Sequence, residues 1–346
     1  MLNIDGSHLE GGGQILRTAA ALSIITQVPV KISKIRKGRK EPGLKAQHLS
    51  VLSVFKQLYA AKVEGAKLSS SEIVFIPQKK VKNNFCDIDV GTAGSIGLIL
   101  QSVLPACLFT APEDMFINIK GGTCGLGAMP VDYYLNVIFP LLYRSGIRAK
   151  LQVIRRGYYP KGGGEVSLQI KPVKYFRPIE LIKQGEIKRI SGLSIASDNL
   201  SSSKAAQRQA EAAAGVFRRN LKDIPVEIKC QYVHTFSVGS EINIYAYTDK
   251  DVILGSDAIG EQKKMAETVG EEAADKLVKE IASGACCDRH LSDNLIPYLA
   301  LLGGRIKAGE ISEHTKTNIW VSELFFGKIF KIEENEIAVE EGRFRS

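Results

Sequence analysis

Apolar positions along the chain switch repeatedly between two periods. Leu2 and Ile4 alternate with polar neighbours, as in a half-buried strand, and beyond Gly11-Gly12-Gly13 the residues Ile15, Leu16, Ala19, Leu22 and Ile25 recur at helical spacing. A strand follows around Val30 to Arg36, then a basic loop, a helix carrying Leu44, His48, Leu52, Phe55 and Tyr59, and two strands near Glu64 to Pro77. This is a βαβαββ order, and it returns. Strand Phe85 to Val90 leads into Gly91-Thr92-Ala93-Gly94-Ser95 and a helix to Phe109. Strand Met115 to Lys120, helix Val131 to Tyr143 and strands near Arg148 to Arg155 and Gly164 to Lys171 complete the second unit. A third, broken copy has Asp288 to Asn294 opening a helix through Leu302, a strand from Arg305 to Ser312, Glu313 to Asn318 opening a helix to Phe326, and strands around Lys328 to Ile332 and Glu336 to Val339. Helices opened by glycine or polar residues in matching places predict an internal threefold repeat with functional loops on one side.

The rhythm breaks from about Leu181. There the pattern gives a strand Arg189 to Ala196, the turn Ser201-Ser202-Ser203, an Ala-rich helix Lys204 to Arg219, and strands near Val226 to Tyr232, Glu241 to Tyr247 and Asp251 to Leu254. The expected organisation is an α+β chain: a large domain over 1–180 holding the first two βαβαββ repeats, an inserted smaller α+β domain over 181–283, and the third repeat over 284–346. Periodicity leaves open to which domain the helix Ala266 to Ile281 belongs.

Composition narrows the function classes. A chain of 346 residues, 45% hydrophobic and 24% charged, has room for two globular domains with a sizeable core. The net charge of +9 fits a polyanionic partner such as nucleic acid. Six cysteines without CxxC spacing, and no charged-then-apolar leader, predict reduced thiols, no structural zinc and a cytoplasmic protein. The most apolar run, Ile96 to Ala111, is interrupted by Gln101, Ser102 and Pro105, which predicts a buried helix and no membrane span.

Candidate chemistry begins at the three glycines. Backbone N–H groups at a helix N-terminus point outward with the dipole behind them, and glycine lets a phosphate approach closely, although a tight turn needs the same residues. Glu10 is placed to hold a divalent cation and Arg17 to fork onto a phosphate; the bland alternative for both is a solvated charge. Arg36 and Arg39, with Lys37 and Lys40, fit either phosphate contacts or a solvated basic loop. Gln47 and His48 open a helix, where His48 serves equally well as a core or capping residue. Gln101 must find partners inside an apolar helix, either backbone or ligand. His290 and His314 both stand at helix starts, where N–H groups stabilise charge on phosphorus, and the residues alone do not decide between them as nucleophile.

Taken in order, the motifs resemble those of the RNA 3'-terminal phosphate cyclases over essentially the whole chain. They are Asp5-Gly6-Ser7 with Glu10 to Arg17, Arg36-Lys37-Gly38-Arg39 with Pro42-Gly43-Leu44 and Gln47-His48-Leu49, Gly91 to Ser95 with Gln101, Tyr159-Pro160 before Gly162-Gly163-Gly164, His290 to Leu295, and His314 with Thr317-Asn318. The resemblance implies three βαβαββ units related in architecture to the enolpyruvate transferases, plus an inserted α+β domain. It also implies ATP with Mg2+ or Mn2+, an RNA bearing a 3'-terminal phosphate, and transfer of AMP through a histidine to that phosphate before a 2',3'-cyclic end forms. By carry-over His314 is the nucleophile, and Gln101, Arg289, His290, Leu291, Ser292 and Asp293 belong to the ATP pocket. Glu10 holds metal, and Arg17, Arg36, Arg39, Gln47 and His48 surround phosphate or the RNA end. His290 stands where many bacterial relatives carry tyrosine. The insert contributes none of these residues, and excising about Leu181 to Leu254 is expected to leave attack on ATP at least partly intact. The competing readings are a non-catalytic cyclase-like RNA-binding protein of ribosomal RNA processing, which lacks the nucleophile, and an enolpyruvate-type transferase, which rests on architecture alone.

Overall fold

The computed structural model describes residues 1–78, 81–173 and 175–344. The chain opens with β1 (Leu2–Asp5), α1 (Gly13–Thr26), β2 (Val30–Ser33), α2 (Ala46–Tyr59), β3 (Lys62–Glu64) and β4 (Ile73–Ile76), the strands lying in the order β1-β2-β4-β3. β1 and β2 run parallel, and the other two pairings are antiparallel. Val30 and Ile32 face the core and Lys31 and Ser33 do not, as the alternation requires. Helix α1 is buried from Gln14 to Ile24 because Ala19, Ala20 and Ala21 let its neighbours come close on several sides.

The second sheet repeats that arrangement. It comprises β5 (Phe85–Asp89), α3 (Ile96–Thr110), β6 (Met115–Gly121), α4 (Val131–Tyr133) continuing through a π-helical turn (Tyr134–Ile138) into α5 (Phe139–Arg144), β7 (Ala149–Arg155) and β8 (Gly164–Ile170). The order is β5-β6-β8-β7, with the first pair parallel and the rest antiparallel. The Ser95 hydroxyl caps α3 by accepting the Leu98 N–H at 3.3 Å. α3 is the buried helix expected from its apolar run, and among the described residues no helix is long and apolar enough to cross a membrane.

Next come β9 (Ile179–Leu181), β10 (Ile187–Ser197), α6 (Ala205–Asn220), β11 (Val226–Val233), β12 (Ser240–Thr248), β13 (Ile253–Ile259) and α7 (Ala266–Ala282). The last four strands form a sheet in the order β11-β10-β12-β13, on which α6 and α7 pack side by side. The helix that periodicity could not place therefore sits on this sheet. The chain ends with α8 (Arg289–Leu302), β14 (Gly304–Lys307), α9 (Glu313–Phe326), β15 (Lys331–Glu333) and β16 (Glu336–Val339). Their sheet takes β9 as its edge, in the order β9-β14-β16-β15, again with one parallel pair followed by two antiparallel ones. Leu181 is thus the last residue of a strand paired with β14, and β14 stops at Lys307, short of the strand expected to reach Ser312.

One buried apolar cluster runs through all four sheets, from Ile4 to Val339. A polar seam crosses it where the β10–β13 sheet meets the second one. There Arg156 grips Asp132 with two guanidinium nitrogens and stands 3.9 Å from Glu241 of β12. Tyr158 donates to Glu241 at 3.3 Å and the Asn243 amide at 3.1 Å. All six cysteines are free thiols and five are buried.

Candidate active site

The N-termini of α1, α8 and α9 converge because short polar side chains tie them together. The Thr18 hydroxyl donates to the Asn318 oxygen at 2.7 Å, and the Asn318 amide donates to the Asp293 carbonyl at 2.8 Å. The Thr315 hydroxyl donates to the Asp293 carboxylate at 3.3 Å. From the α3 side, the Ser102 hydroxyl donates to the Arg17 carbonyl at 2.7 Å. These bonds explain polar residues buried in apolar helices: each satisfies a group that would be costly to leave unpaired.

His314 stands in the first turn of α9, whose N-cap Ser312 accepts the Thr315 N–H at 3.0 Å. Its Nδ1 lies 2.5 Å from Glu10 Oε2 and also meets the Gln14 side-chain oxygen, while the Gln14 amide donates to the His314 carbonyl at 2.9 Å. The Gln14 oxygen can only accept, so Nδ1 donates its proton there and Nε2 is left with its lone pair, while the nearby Glu10 Oε2 is buried without a hydrogen-bond partner of its own. Burial pulls the ring below its ordinary 6.5, against Asp293 and with Arg17, Arg289 and Arg39. It is neutral at neutral pH, as a nucleophile must be. Asp293 is lifted to about 6 by its own burial, against the pull of His314 and His290.

A cation cluster flanks this ring. Arg17 is buried and donates through Nε to the Gln101 oxygen at 3.0 Å, so Gln101 finds its partner in a site arginine. Burial pulls Arg17 down to about 10, which still leaves it charged at neutral pH. Arg39 pairs with the other oxygen of Glu10. Arg36 donates to the carbonyls of Glu41 (2.6 Å) and Gly43 (3.0 Å), which fixes the shape of its own loop. Gln47 lies against Gly94 in the loop before α3, its Cβ 3.7 Å from where a Gly94 side chain would stand.

His48 explains one of the glycines. Its Nδ1 accepts the Lys45 N–H at 2.9 Å, so the proton of the neutral ring sits on Nε2, which is buried and without a partner. That nitrogen would be 2.0 Å from a Cβ at position 13, so only glycine fits there. Burial, reinforced by Arg17 and Arg36, holds the ring down at about 3. The result is an unspent N–H donor at the mouth of α1.

A cavity of about 500 Å³ opens beside His314. Of the residues expected to hold ATP, Gln101, Arg289, His290 and Asp293 line it, as do Gln14 and Arg17. Leu291 and Ser292 do not: Leu291 packs into the core, and the buried Ser292 hydroxyl turns back to the Arg289 carbonyl at 3.3 Å. The opposite wall comes from the β10–β13 sheet and its helix, through Ser256, Asp257, Lys276, Lys279 and Glu280. Residues of the 181–283 segment thus line the same cavity as the N-termini of α1, α8 and α9. Asp257 Oδ1 lies 3.1 Å from His290 Nε2, and although burial opposes it, this bond raises the His290 pKa. Asp288 caps α8 by accepting the N–H groups of His290 and Leu291 at 2.9 and 3.0 Å, and Tyr133 donates to the same carboxylate at 2.6 Å. Gln14 and Asp257 were missed by sequence reasoning. Gln14 carried a signal of the kind that singled out Gln101, an amide on a buried helical face; an acid within a strand carries none.

Among the described residues no group of three or more His, Cys, Asp and Glu is arranged to hold a metal. The donor set still fits magnesium or manganese. Such ions are commonly held by one or two carboxylates together with substrate phosphates and water, and the Glu10 carboxylate keeps lone pairs beyond its contacts with Arg39 and His314.

Arginines, helix N-termini and an imidazole with one nitrogen free, gathered at a cavity of nucleotide size, place this molecule in the class of α+β enzymes that act on phosphate groups. The sequence profile of RNA 3'-terminal phosphate cyclase matches residues 8–332. The chain is 46% identical over 334 residues to the RNA 3'-terminal phosphate cyclase of Pyrococcus furiosus, spanning 96% of this chain and 95% of that protein. It is 44% identical over 333 residues to the Pyrococcus abyssi protein of the same name (96% and 95%) and 43% identical over 337 residues to that of Methanosarcina barkeri (97% and 98%). The chain belongs to the RNA 3'-terminal phosphate cyclase family of enzymes.

Proposed function

We propose that this chain uses ATP to convert an RNA 3'-terminal phosphate into a 2',3'-cyclic phosphate, through an AMP adduct of His314 and an RNA(3')pp(5')A intermediate. The observation that carries this reading is the His314 ring, held at Nδ1 by Glu10 and Gln14, lowered in pKa and left with Nε2 as its only free nucleophilic atom. In the first step the Nε2 lone pair attacks the α-phosphorus of ATP, an N–P bond forms, and the bond to the β-phosphate oxygen breaks to release pyrophosphate. Positive charge grows on the ring as it does so, and the Glu10 carboxylate lies against Nδ1 to stabilise it. Next, an oxygen of the RNA 3'-phosphate attacks the same phosphorus and the N–P bond breaks, freeing His314. Finally the 2'-hydroxyl oxygen attacks the 3'-phosphorus, its proton passing to water, and AMP leaves. The vicinal hydroxyl is already positioned, so this step needs little help.

Arg17, Arg36, Arg39, Gln47 and the unpartnered Nε2–H of His48 would surround the phosphates, with the α1 N–H groups behind them. Gln101, Arg289, His290 and Asp293 would hold the nucleotide. A divalent cation held by Glu10 would neutralise phosphate charge. The shared strand order of three of the sheets supports three βαβαββ units forming a large domain, with the β10–β13 sheet and α6 and α7 inserted between β9 and α8. The six free thiols support a cytoplasmic location. The test is to incubate the protein with α-labelled ATP and Mg2+ or Mn2+: covalent label stable to alkali and labile to acid, as a phosphoramidate is, is expected. A protein that takes no such label while binding ATP overturns the reading.

A further inference from the structure

On the cyclase reading the RNA strand must leave the catalytic centre across some surface, and one aromatic patch lies on the helix that carries His314. The imidazole of His8 stacks on Trp320 with ring centroids 4.0 Å apart and planes 23° from parallel. Trp320 lies on α9, six residues beyond His314, a rise of about 9 Å along the helix. His8 lies two residues before Glu10, whose carboxylate touches the nucleophile. A tight turn fixes this position: the Gly11 N–H donates to the His8 carbonyl at 2.8 Å, Leu9 is held at φ 48° and Gly11 at φ 58°. A leucine in the left-handed region is strained, so the surrounding turn and not Leu9's own preference sets where His8 stands. Trp320 is half-buried against the core, whereas His8 is exposed and Leu9 beside it is 47% exposed, so the outer face of the stack is open to solvent. The basic loop that carries Arg39 to Glu10 also carries Lys37 and Lys40, both exposed.

We infer that the His8–Trp320 pair is a stacking platform for a base at or next to the 3' end of the RNA, with the 36–40 loop following the backbone phosphates. An aromatic face flanked by cations accepts any base, because every base has a π-face, and it fixes the strand while the terminal phosphate is presented to His314. The charge complementarity singles out a single-stranded nucleic acid as the occupant. This assignment rests on the cyclase reading and adds to it the path of the substrate.

Trp320 is the sole tryptophan of the chain, so its emission reports on this patch alone. Short RNA ending in a 3'-phosphate, added without ATP so that no chemistry proceeds, should change that emission saturably. His8→Ala should weaken RNA binding roughly 5- to 100-fold, while covalent labelling by ATP alone serves as the check on fold and on the cyclase reading. An oligonucleotide abasic at its last two positions should bind the wild type more weakly by a similar factor, yet bind His8→Ala no worse than the intact strand does. RNA that binds saturably with no change in Trp320 emission, or that binds His8→Ala with wild-type affinity, overturns the platform. A wild type that binds RNA in this way but takes no label from ATP would sink the cyclase reading and leave the platform standing.

Discussion

At the scale of single residues the site turns on which nitrogen of each histidine is engaged. His314 uses Nδ1 for the Gln14 oxygen, with the Glu10 carboxylate close by, whereas His48 uses Nδ1 for the Lys45 N–H, and each is left with an unspent Nε2, one as a lone pair and the other as a proton donor. His314→Ala should abolish covalent labelling by ATP, and His290→Ala should weaken ATP use while leaving the point of attachment intact; mass analysis of the labelled peptide separates the two. On the proposed reading only the neutral ring attacks. Because the folded site holds His314 below 6.5, adenylation should persist as pH falls past 6.5 and be lost only at the lower pKa. A rate profile with its acid midpoint at or above 6.5 would contradict the environment described for this ring. Glu10→Gln keeps an oxygen that can accept from Nδ1 and loses the charge. It should slow adenylation by roughly 100-fold or more, in line with the loss of one preorganised charge partner, and recover part of the rate at high metal concentration. Glu10→Ala loses the ring's partner as well, so added metal should restore less.

At the scale of elements, the N-terminus of α1 is shaped by one contact between two helices. Gly13→Ala places a methyl group 2.0 Å from His48 Nε2, and the His48 ring is anchored on its far side. Overpacking of this kind costs about 1–3 kcal/mol, read as a shift in denaturation midpoint. Gly13→Ala combined with His48→Ala should regain most of that stability yet adenylate poorly, because the space is restored and the donor is not. A double variant as unstable as the single one would show that the clash lies elsewhere. The helices themselves were legible in the sequence, because a change from period 2 to period 3.6 is a local signal, and glycine, serine or aspartate marked where α1, α3, α8 and α9 began. The three residues of β9 were not: so short a strand shows no pattern of its own, and its partner β14 lies beyond an entire sheet. Leu291 and Ser292 share a motif with His290 and Asp293, but a helix sends consecutive side chains in different directions, so only part of such a run can face one cavity.

At the scale of the whole molecule, the β10–β13 sheet is fastened to the rest by the buried Arg156 seam. Removing the cation while keeping both acids is the severe change: Arg156→Met should cost about 3–5 kcal/mol, seen as a lower thermal midpoint. Within the same seam, burial raises Glu241 from 4.5 to about 7 despite Arg156. An acid whose pKa is raised on folding contributes stability that is full below its unfolded value and is lost as pH rises through the folded one. Stability should therefore fall between pH 4.5 and about 7 in the wild type, and Glu241→Gln should make that slope shallower, leaving the part that Asp293 and Glu280, raised by burial to about 6 and about 7, contribute in the same window. A Gln variant with the wild-type slope would assign it to another group. Asp257→Asn, on the same sheet, should weaken ATP use through His290; an unchanged KM for ATP in adenylation would show this wall of the cavity to be passive. The ends of the catalytic apparatus lie far apart in the chain. Gln14 and His314 are 300 residues apart and meet through two hydrogen bonds. On the proposed reading, the turn at Glu10 to Gly13 leaves the ribosome long before His314, so a nascent chain holds the residues assigned to phosphate for most of its translation without the one assigned to attack. Adenylation would in this way wait until the last of the helices has docked, and a message truncated ahead of His314 should yield a protein that takes no label from ATP.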